Sequence, residues 1–321
     1  MKRIFKDIKT NLITGFLGVG KTSAILNLMK QKPAHENWSV LVNEFGSIGI
    51  DGAIYAAQGI QVKEIPGGCM CCSAGVPLHM AVNQILKTTN PDRLLIEPSG
   101  LGHPKRVLDT LRGKYLKEIL DLRATICLVD ARNIYDERYT SHENFIDQIS
   151  LADIIVANKS DLSDANTLKD FRGYIQTQFP NKKRIIESQY GCFDIALLEE
   201  NAATCPQALH PNHHETRLSS TRKDDGYVSL GVTFSPENAF SSEKLIALFQ
   251  KIHAERIKGI LQTESGWKLY NCYQSDNQIQ NINYCTENRL EIIIKKPTNF
   301  NERDLKEAIT HCLLQSTSQV I

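Results

Sequence analysis

Gly15-Phe-Leu-Gly-Val-Gly-Lys-Thr22 fits the pattern G-x-x-x-x-G-K-[ST], and its flanks decide how it is read. Leu12 and Ile13 close an extended apolar stretch before it. After it, Ser23 to Lys30 reads helical, with Ile25, Leu26 and Met29 on one side. A strand, a glycine loop and a helix in that order make a phosphate cradle. Gly15, Gly18 and Gly20 free the backbone to curl, so the amides of the loop, which includes Phe16, Leu17 and Val19, point inward, and the helix N-terminus adds a positive dipole end. Lys21 is expected to reach the outer phosphates as a point charge. The Thr22 hydroxyl is expected to ligate Mg2+.

From the N-terminus to about residue 200, strand-like runs alternate with helical segments, the pattern of a mostly parallel sheet with helices on both faces. The strand candidates are Asn11 to Thr14, Ser39 to Asn43, Arg93 to Glu97, Thr125 to Asp130 and Ile154 to Asn158. Ligands of such sheets bind along the C-terminal strand edge, so these five ends should converge on one site. The fold class expected is therefore an α/β P-loop NTPase, followed by a small α+β domain. Residues 1–205 read as the nucleotide domain and 206–225 as a polar linker containing Pro206, Pro211, His210, His213 and His214. Residues 226–321 read as the second domain. There, Tyr227 to Phe234, Arg256 to Thr263, Trp267 to Tyr273 and Leu290 to Ile294 are strands of an antiparallel sheet. Helices at Ser241 to His253 and from about Asn301 are expected to pack on one of its faces.

Composition narrows the class of partner. The 321 residues carry 37 Lys+Arg against 36 Asp+Glu, a balance that does not point to nucleic acid or to an anionic membrane. No apolar run approaches the roughly 20 residues that cross a bilayer, and Met1-Lys-Arg-Ile-Phe-Lys-Asp7 lacks a continuous apolar h-region, so a cytoplasmic location is expected. Nine cysteines is an odd number for a disulfide framework; clustered thiols in a reducing compartment more often bind metal or do redox chemistry.

Three further motifs accompany the phosphate loop. Asn158-Lys-Ser-Asp161 follows an apolar strand, where the Asp161 carboxylate can accept from both the ring N–H and the exocyclic amine of guanine, a pair that adenine does not offer. Two such charged hydrogen bonds, about 1.5 to 3 kcal/mol each, would select GTP over ATP. Lys159 would lay its stem along the purine, and Asn158 would tie the loop together. In Leu94-Leu-Ile-Glu97-Pro-Ser-Gly100, Glu97 ends a strand where a carboxylate can hold Mg2+, and the Gly100 amide can sense the terminal phosphate. In Gly67-Gly-Cys69-Met-Cys71-Cys72, three cysteines in four positions can present thiolates to one soft metal such as Zn2+. A vicinal disulfide or redox pair at Cys71 and Cys72 is the alternative. Cys127 reads as core.

In this order, and followed by a small C-terminal domain, these motifs resemble those of the CobW-type metallochaperone GTPases. The likeness extends to Thr10-Asn-Leu-Ile-Thr-Gly-Phe-Leu-Gly18, Val40-Leu-Val-Asn-Glu-Phe-Gly46, Lys63-Glu-Ile-Pro-Gly-Gly-Cys-Met-Cys-Cys72 and Arg93-Leu-Leu-Ile-Glu-Pro-Ser-Gly-Leu-Gly-His-Pro-Lys105. The resemblance implies GTP hydrolysis coupled to zinc binding at Cys69, Cys71 and Cys72, and delivery to a metal-requiring client protein; homo-oligomerisation stays open. Some relatives place a glutamate ligand just before the Asn-Glu-Phe-Gly segment, where this chain has Val42; Glu44 is the candidate replacement. Two other readings remain at this level. One is a GTP-switched zinc buffer or sensor without significant turnover, and the other an ATPase or kinase with structural cysteines.

Overall fold

The computed structural model describes residues 5–43, 50–65, 76–102, 104–182, 184–202, 227–273, 276–282, 285, 287–295 and 301–314. In chain order the first half runs β1 (Ile8–Thr14), α1 (Lys21–Gln31), β2 (Trp38–Asn43), α2 (Ile50–Ala57), β3 (Gln61–Ile65), α3 (Val76–Thr89) and β4 (Arg93–Glu97). It continues with α4 (Pro104–Leu111), α5 (Lys114–Lys117), β5 (Leu120–Leu122), β6 (Ile126–Asp130), α6 (Glu137–Thr140), α7 (Glu143–Leu151), β7 (Ile154–Asn158), α8 (Ala165–Gln178) and β8 (Ile185–Glu187). The second half holds β9 (Tyr227–Phe234), α9 (Ser242–Lys251), β10 (Arg256–Thr263), β11 (Gly266–Tyr273), β12 (Asp276–Asn281), β13 (Asn288–Lys295) and α10 (Glu302–Thr310).

By contacts the chain divides into two units, residues 1–45 with 60–222, and residues 46–59 with 223–321. The first holds a sheet ordered β3-β2-β4-β1-β6-β7-β8, with β5 also paired to β1. Every pairing among its described strands is parallel. The expected α/β class is what the structure has. β4, β6 and β7 are buried along their whole length, the signature of strands covered on both faces, so their sequences are near-continuous apolar runs. On one face, Leu78, Val82, Ile85 and Leu86 of α3 and Val107, Leu108 and Leu111 of α4 pack against Leu12, Leu41, Leu94 and Ile96. β3 and β8, which the sequence did not announce, are short outer strands with mostly part-exposed residues. Their apolar signal is diluted because only part of each is covered.

Arg93 opens β4 as one of the largest fully buried side chains. Its guanidinium donates to Asn11 Oδ1 at 2.6 Å and to the Leu198 carbonyl at 3.1 Å, pairs with Glu199, and lies 5.1 Å from the centroid of the Trp38 ring. Burial pulls its pKa below the usual arginine value. The strand run beginning at Arg93 thus enters the sheet through a charge held by four partners of different kinds.

The second unit is a five-stranded antiparallel sheet ordered β12-β11-β10-β13-β9. Leu245 and Phe249 of α9 and Leu305 and Ile309 of α10 cover one face, meeting Leu230, Ile257, Leu261, Leu290 and Ile292. Asn301 caps α10 in a reciprocal box with Asp304. The expectation of helices on one face needs a correction: α2, from the first half of the sequence, lies against β10 and β13 on the other. The ion pairs show why. Asp51 of α2 pairs with Lys258, and lies 3.9 Å from the Arg256 guanidinium, both residues alternating with the inward Ile257. Glu291, across the register from Lys258, is buried as well; it accepts from Ser229 Oγ at 2.7 Å, and burial pushes its carboxyl up. A buried charge deprived of its partner is costly, so this cluster fixes α2. Asp51→Ala should lower stability by about 3–5 kcal/mol in urea unfolding, and adding Lys258→Met should restore part of the loss because the remaining Arg256 and Glu291 charges balance again.

Candidate functional site

β1 sits between β4 and β6, where the strand order reverses, and its C-terminal end runs into the glycine loop. Gly15, Gly18 and Gly20 have φ of 142°, 72° and 96°, the left-handed region that glycine enters at no steric cost. Two of these are also close approaches. A Cβ at Gly20 would stand 2.7 Å from Asn158 Nδ2, and one at Gly15 would strike the Leu128 carbonyl. α1 then begins at Lys21, whose amine is nearly buried and donates to the carbonyls of Gly15 at 2.9 Å and Phe16 at 3.1 Å. The lysine is thereby folded back over the loop it belongs to.

The Thr22 hydroxyl donates to Glu97 Oε1 at 3.1 Å. β4 pairs directly with β1, so the last residue of β4 arrives beside the first turn of α1. Glu97 is buried, and the chain after it makes a tight turn, with the Gly102 N–H on the Ser99 carbonyl at 2.9 Å. Gly100 inside that turn abuts the phosphate loop, since a Cβ there would lie 2.9 Å from the Leu17 nitrogen and 3.0 Å from Lys21 Nζ. Of the expected site residues, the structure therefore brings together Lys21, Thr22, Glu97, Gly100 and the loop glycines.

Asn158 ties the next group to them. Its amide donates to the Val19 carbonyl at 2.8 Å and its oxygen accepts from the Gly191 N–H at 2.9 Å. Lys159 follows in the left-handed region at φ 58°, with its amine 3.5 Å from Asp130 Oδ2 at the end of β6. Asp161 is exposed in a short 3-10 turn covering Ser160–Leu162. Asp130 was expected here only as the end of a strand, and the turn after β8 was not read from the sequence. Asp130, nearly fully buried, takes Arg132 on both oxygens as well as facing Lys159. The turn after β8 holds Ser188, whose carbonyl accepts from the Ser160 N–H and hydroxyl, each at 3.0 Å, and Gly191, which packs on Ala24 of α1. The signal available was Ser188-Gln-Tyr-Gly191 directly after a three-residue strand, too short to stand out.

The strand ends form a line. Asn43 at the end of β2 is in register with Ile65 at the end of β3, and Val42 is in register with Glu97. Val42 is buried. The candidate metal ligands Glu44, Cys69, Cys71 and Cys72, and the linker residues His210, His213 and His214, lie outside the described residues. Among the described residues no group of three His, Cys, Asp or Glu is placed to hold a metal, and no helix is long and apolar enough to cross a membrane. Cys127 is core as expected, and burial pushes its thiol up to about 12.

Asn158→Asp separates the two bonds of this side chain: the carboxylate still accepts from Gly191 but faces the Val19 carbonyl as a second acceptor. A loss of about 1–3 kcal/mol is expected, read as a lower melting temperature together with a smaller stabilising shift on adding GDP.

A family model described as CobW/HypB/UreG, nucleotide-binding domain, matches residues 9–187. The chain is 38% identical to the zinc chaperone YeiR of Escherichia coli (strain K12), over 97% of this chain and 99% of that protein. It is 29% identical to the zinc chaperone CobW of Pseudomonas aeruginosa, over 81% and 78% of the two. Against zinc-regulated GTPase metalloprotein activator 1 of Dictyostelium discoideum it is 24% identical, over 54% and 44%. With the glycine loop, the Thr22 and Glu97 pair and the Asn158 segment assembled on one sheet edge, and with these matches, the chain belongs to the CobW/HypB/UreG nucleotide-binding family.

Proposed function

We propose that this GTPase binds zinc as cargo and uses the state of its nucleotide to deliver that zinc to a metal-requiring client protein. The observation that carries the nucleotide half is the single cluster in which Thr22 meets Glu97, Lys21 covers the glycine loop, and Asn158 joins that loop to the segment bearing Asp161. Lys21 would exchange its two carbonyl partners for phosphate oxygens. The donor set at Thr22 and Glu97 is hard oxygen, suited to Mg2+, which keeps most of its waters and takes one or two carboxylates; when bound it would neutralise charge on the phosphates. Asp161, exposed and free of burial cost, would read guanine, and the Gly100 turn would report on the terminal phosphate.

The zinc half is supported by the relatives named as zinc chaperones and by where the candidate ligands leave the sheet. Residue 44 follows β2 and residue 66 follows β3, two strands paired to their last residues, and adjacent strands stand about 4.8 Å apart. Glu97 ends the next strand along. Cys69, Cys71 and Cys72, with Glu44, would then bind zinc one or two strands from the terminal phosphate, so that loss of that phosphate alters the ligand geometry. A tenfold change in zinc affinity requires only about 1.4 kcal/mol. By linkage, whatever factor GTP applies to zinc affinity zinc must apply to GTP affinity.

Asp161→Asn should weaken GTP and relax discrimination against xanthosine triphosphate, as competition titrations would show; equal affinity of the unaltered protein for ATP and GTP would remove the guanine assignment. A Cys71→Ser/Cys72→Ser variant should lose zinc affinity and the reciprocal GTP–zinc coupling while still binding GTP, measured by metal competition and nucleotide titration on one purified sample. Retained zinc affinity and coupling would return these cysteines to a structural or redox role.

A further inference from the structure

One helix touches both loops of the phosphate site. α7 carries Asn144 and Gln148, four residues apart and therefore stacked on one helical face, and each is only 1% exposed. Gln148 Nε2 donates to the Gly100 carbonyl at 3.0 Å, and Asn144 Nδ2 to the Leu101 carbonyl at 2.8 Å. Those are the two central carbonyls of the turn closed between Ser99 and Gly102. The oxygens Asn144 Oδ1 and Gln148 Oε1 have no hydrogen-bond partner among the described residues. Together with its N-cap His142 and with α6 before it, the helix grips the phosphate loop: the Phe16 ring packs edge-on against Tyr139 of α6, His142 and Phe145 of α7, with centroids 5.4, 5.0 and 6.4 Å away.

We infer that Asn144 and Gln148 are positioning residues for hydrolysis, and that α7 is a brace holding the Gly100 turn in register with the phosphate loop. The inference rests on the reading that this turn reports on the terminal phosphate. Burying an amide with its oxygen unpaired is unfavourable, and Leu or Met would fill the same space without that penalty. What the amides supply instead is direction. Each fixes one peptide plane of the turn, and with it the position of Gly100 against Leu17 and Lys21, where a side chain would already collide. Both amides are buried and act through the backbone they hold.

The test uses the full-length protein with Mg2+ and compares Gln148→Met, Gln148→Leu and Asn144→Leu with the unaltered chain. Three quantities are read: melting temperature, affinity for a fluorescent GDP analogue, and single-turnover GTP hydrolysis. GDP lacks the third phosphate of GTP, so its affinity should stay within about threefold, while hydrolysis should slow about tenfold. The Asn144→Leu/Gln148→Leu double variant should slow by less than the product of the single effects, because the two hold one turn. Gln148→Met conserves volume and serves if the leucine variants melt early. Folded variants that hydrolyse GTP within twofold of the unaltered chain, or that lose GDP affinity as steeply as hydrolysis, would overturn the inference. Lys21→Ala separates the two levels. If the unaltered protein shows no hydrolysis that Lys21→Ala removes, the function reading fails; if it does and Gln148→Met is unaffected, only the brace does.

Discussion

The constraint on which the site depends is the double pairing of β1. Hydrogen-bonded to β4 on one side and to β5 and β6 on the other, this strand cannot shift without breaking three ladders, and the glycine loop is its direct continuation. The loop's own residues are poor at holding a conformation, because glycines at positive φ carry no side chain to pack. Its shape is imposed from outside, by Asn158 on the Val19 carbonyl, by the Leu128 backbone against Gly15 and by rings around Phe16.

From that centre the chemistry spreads along the strand order. β6, β7 and β8 end at Asp130, Asn158 and the Ser188 turn, the polar groups of the proposed base-recognition side. β4 and β2 lead the other way, through Glu97, to the segment that holds Glu44, with β3 and the cysteine segment last. A nucleotide spanning the middle would therefore have its base at one end of the row and its terminal phosphate toward the proposed metal ligands. Parallel pairing makes this arrangement natural, since every strand presents its C-terminal end at the same edge.

Buried polar groups serve different ends in the two units. In the second, Asp51, Lys258, Arg256 and Glu291 form a cluster whose charges offset one another across a sheet face, which fixes one helix in one place. In the first, the Asn144 and Gln148 amides leave acceptors unpaired in order to hold two carbonyls of one turn. The charge cluster holds opposite charges together even though Arg256 Nε has no hydrogen-bond partner among the described residues, whereas the two amides make sense as support for their neighbour.

The sequence by itself determined the parallel α/β architecture, the position of the glycine loop between strand and helix, and most strands of both halves. These are legible because they depend on local periodicity and glycine spacing, as in β7, where five buried residues in a row leave no polar face to confuse the reading. Lys21, Thr22, Glu97, Asn158 and Asp161 were named for the same reason, each standing at a fixed offset from such an element. Tertiary structure alone decided that α2 belongs to the C-terminal sheet, that Arg93 is a buried hub, that Asp130 faces Lys159, and that Ser188, Asn144 and Gln148 surround the site. Each of those rests on a partner far away in the chain, Asp51 with Lys258 and Gln148 with Gly100 among them. No local pattern encodes a hydrogen bond whose two ends meet only after the sheet has formed.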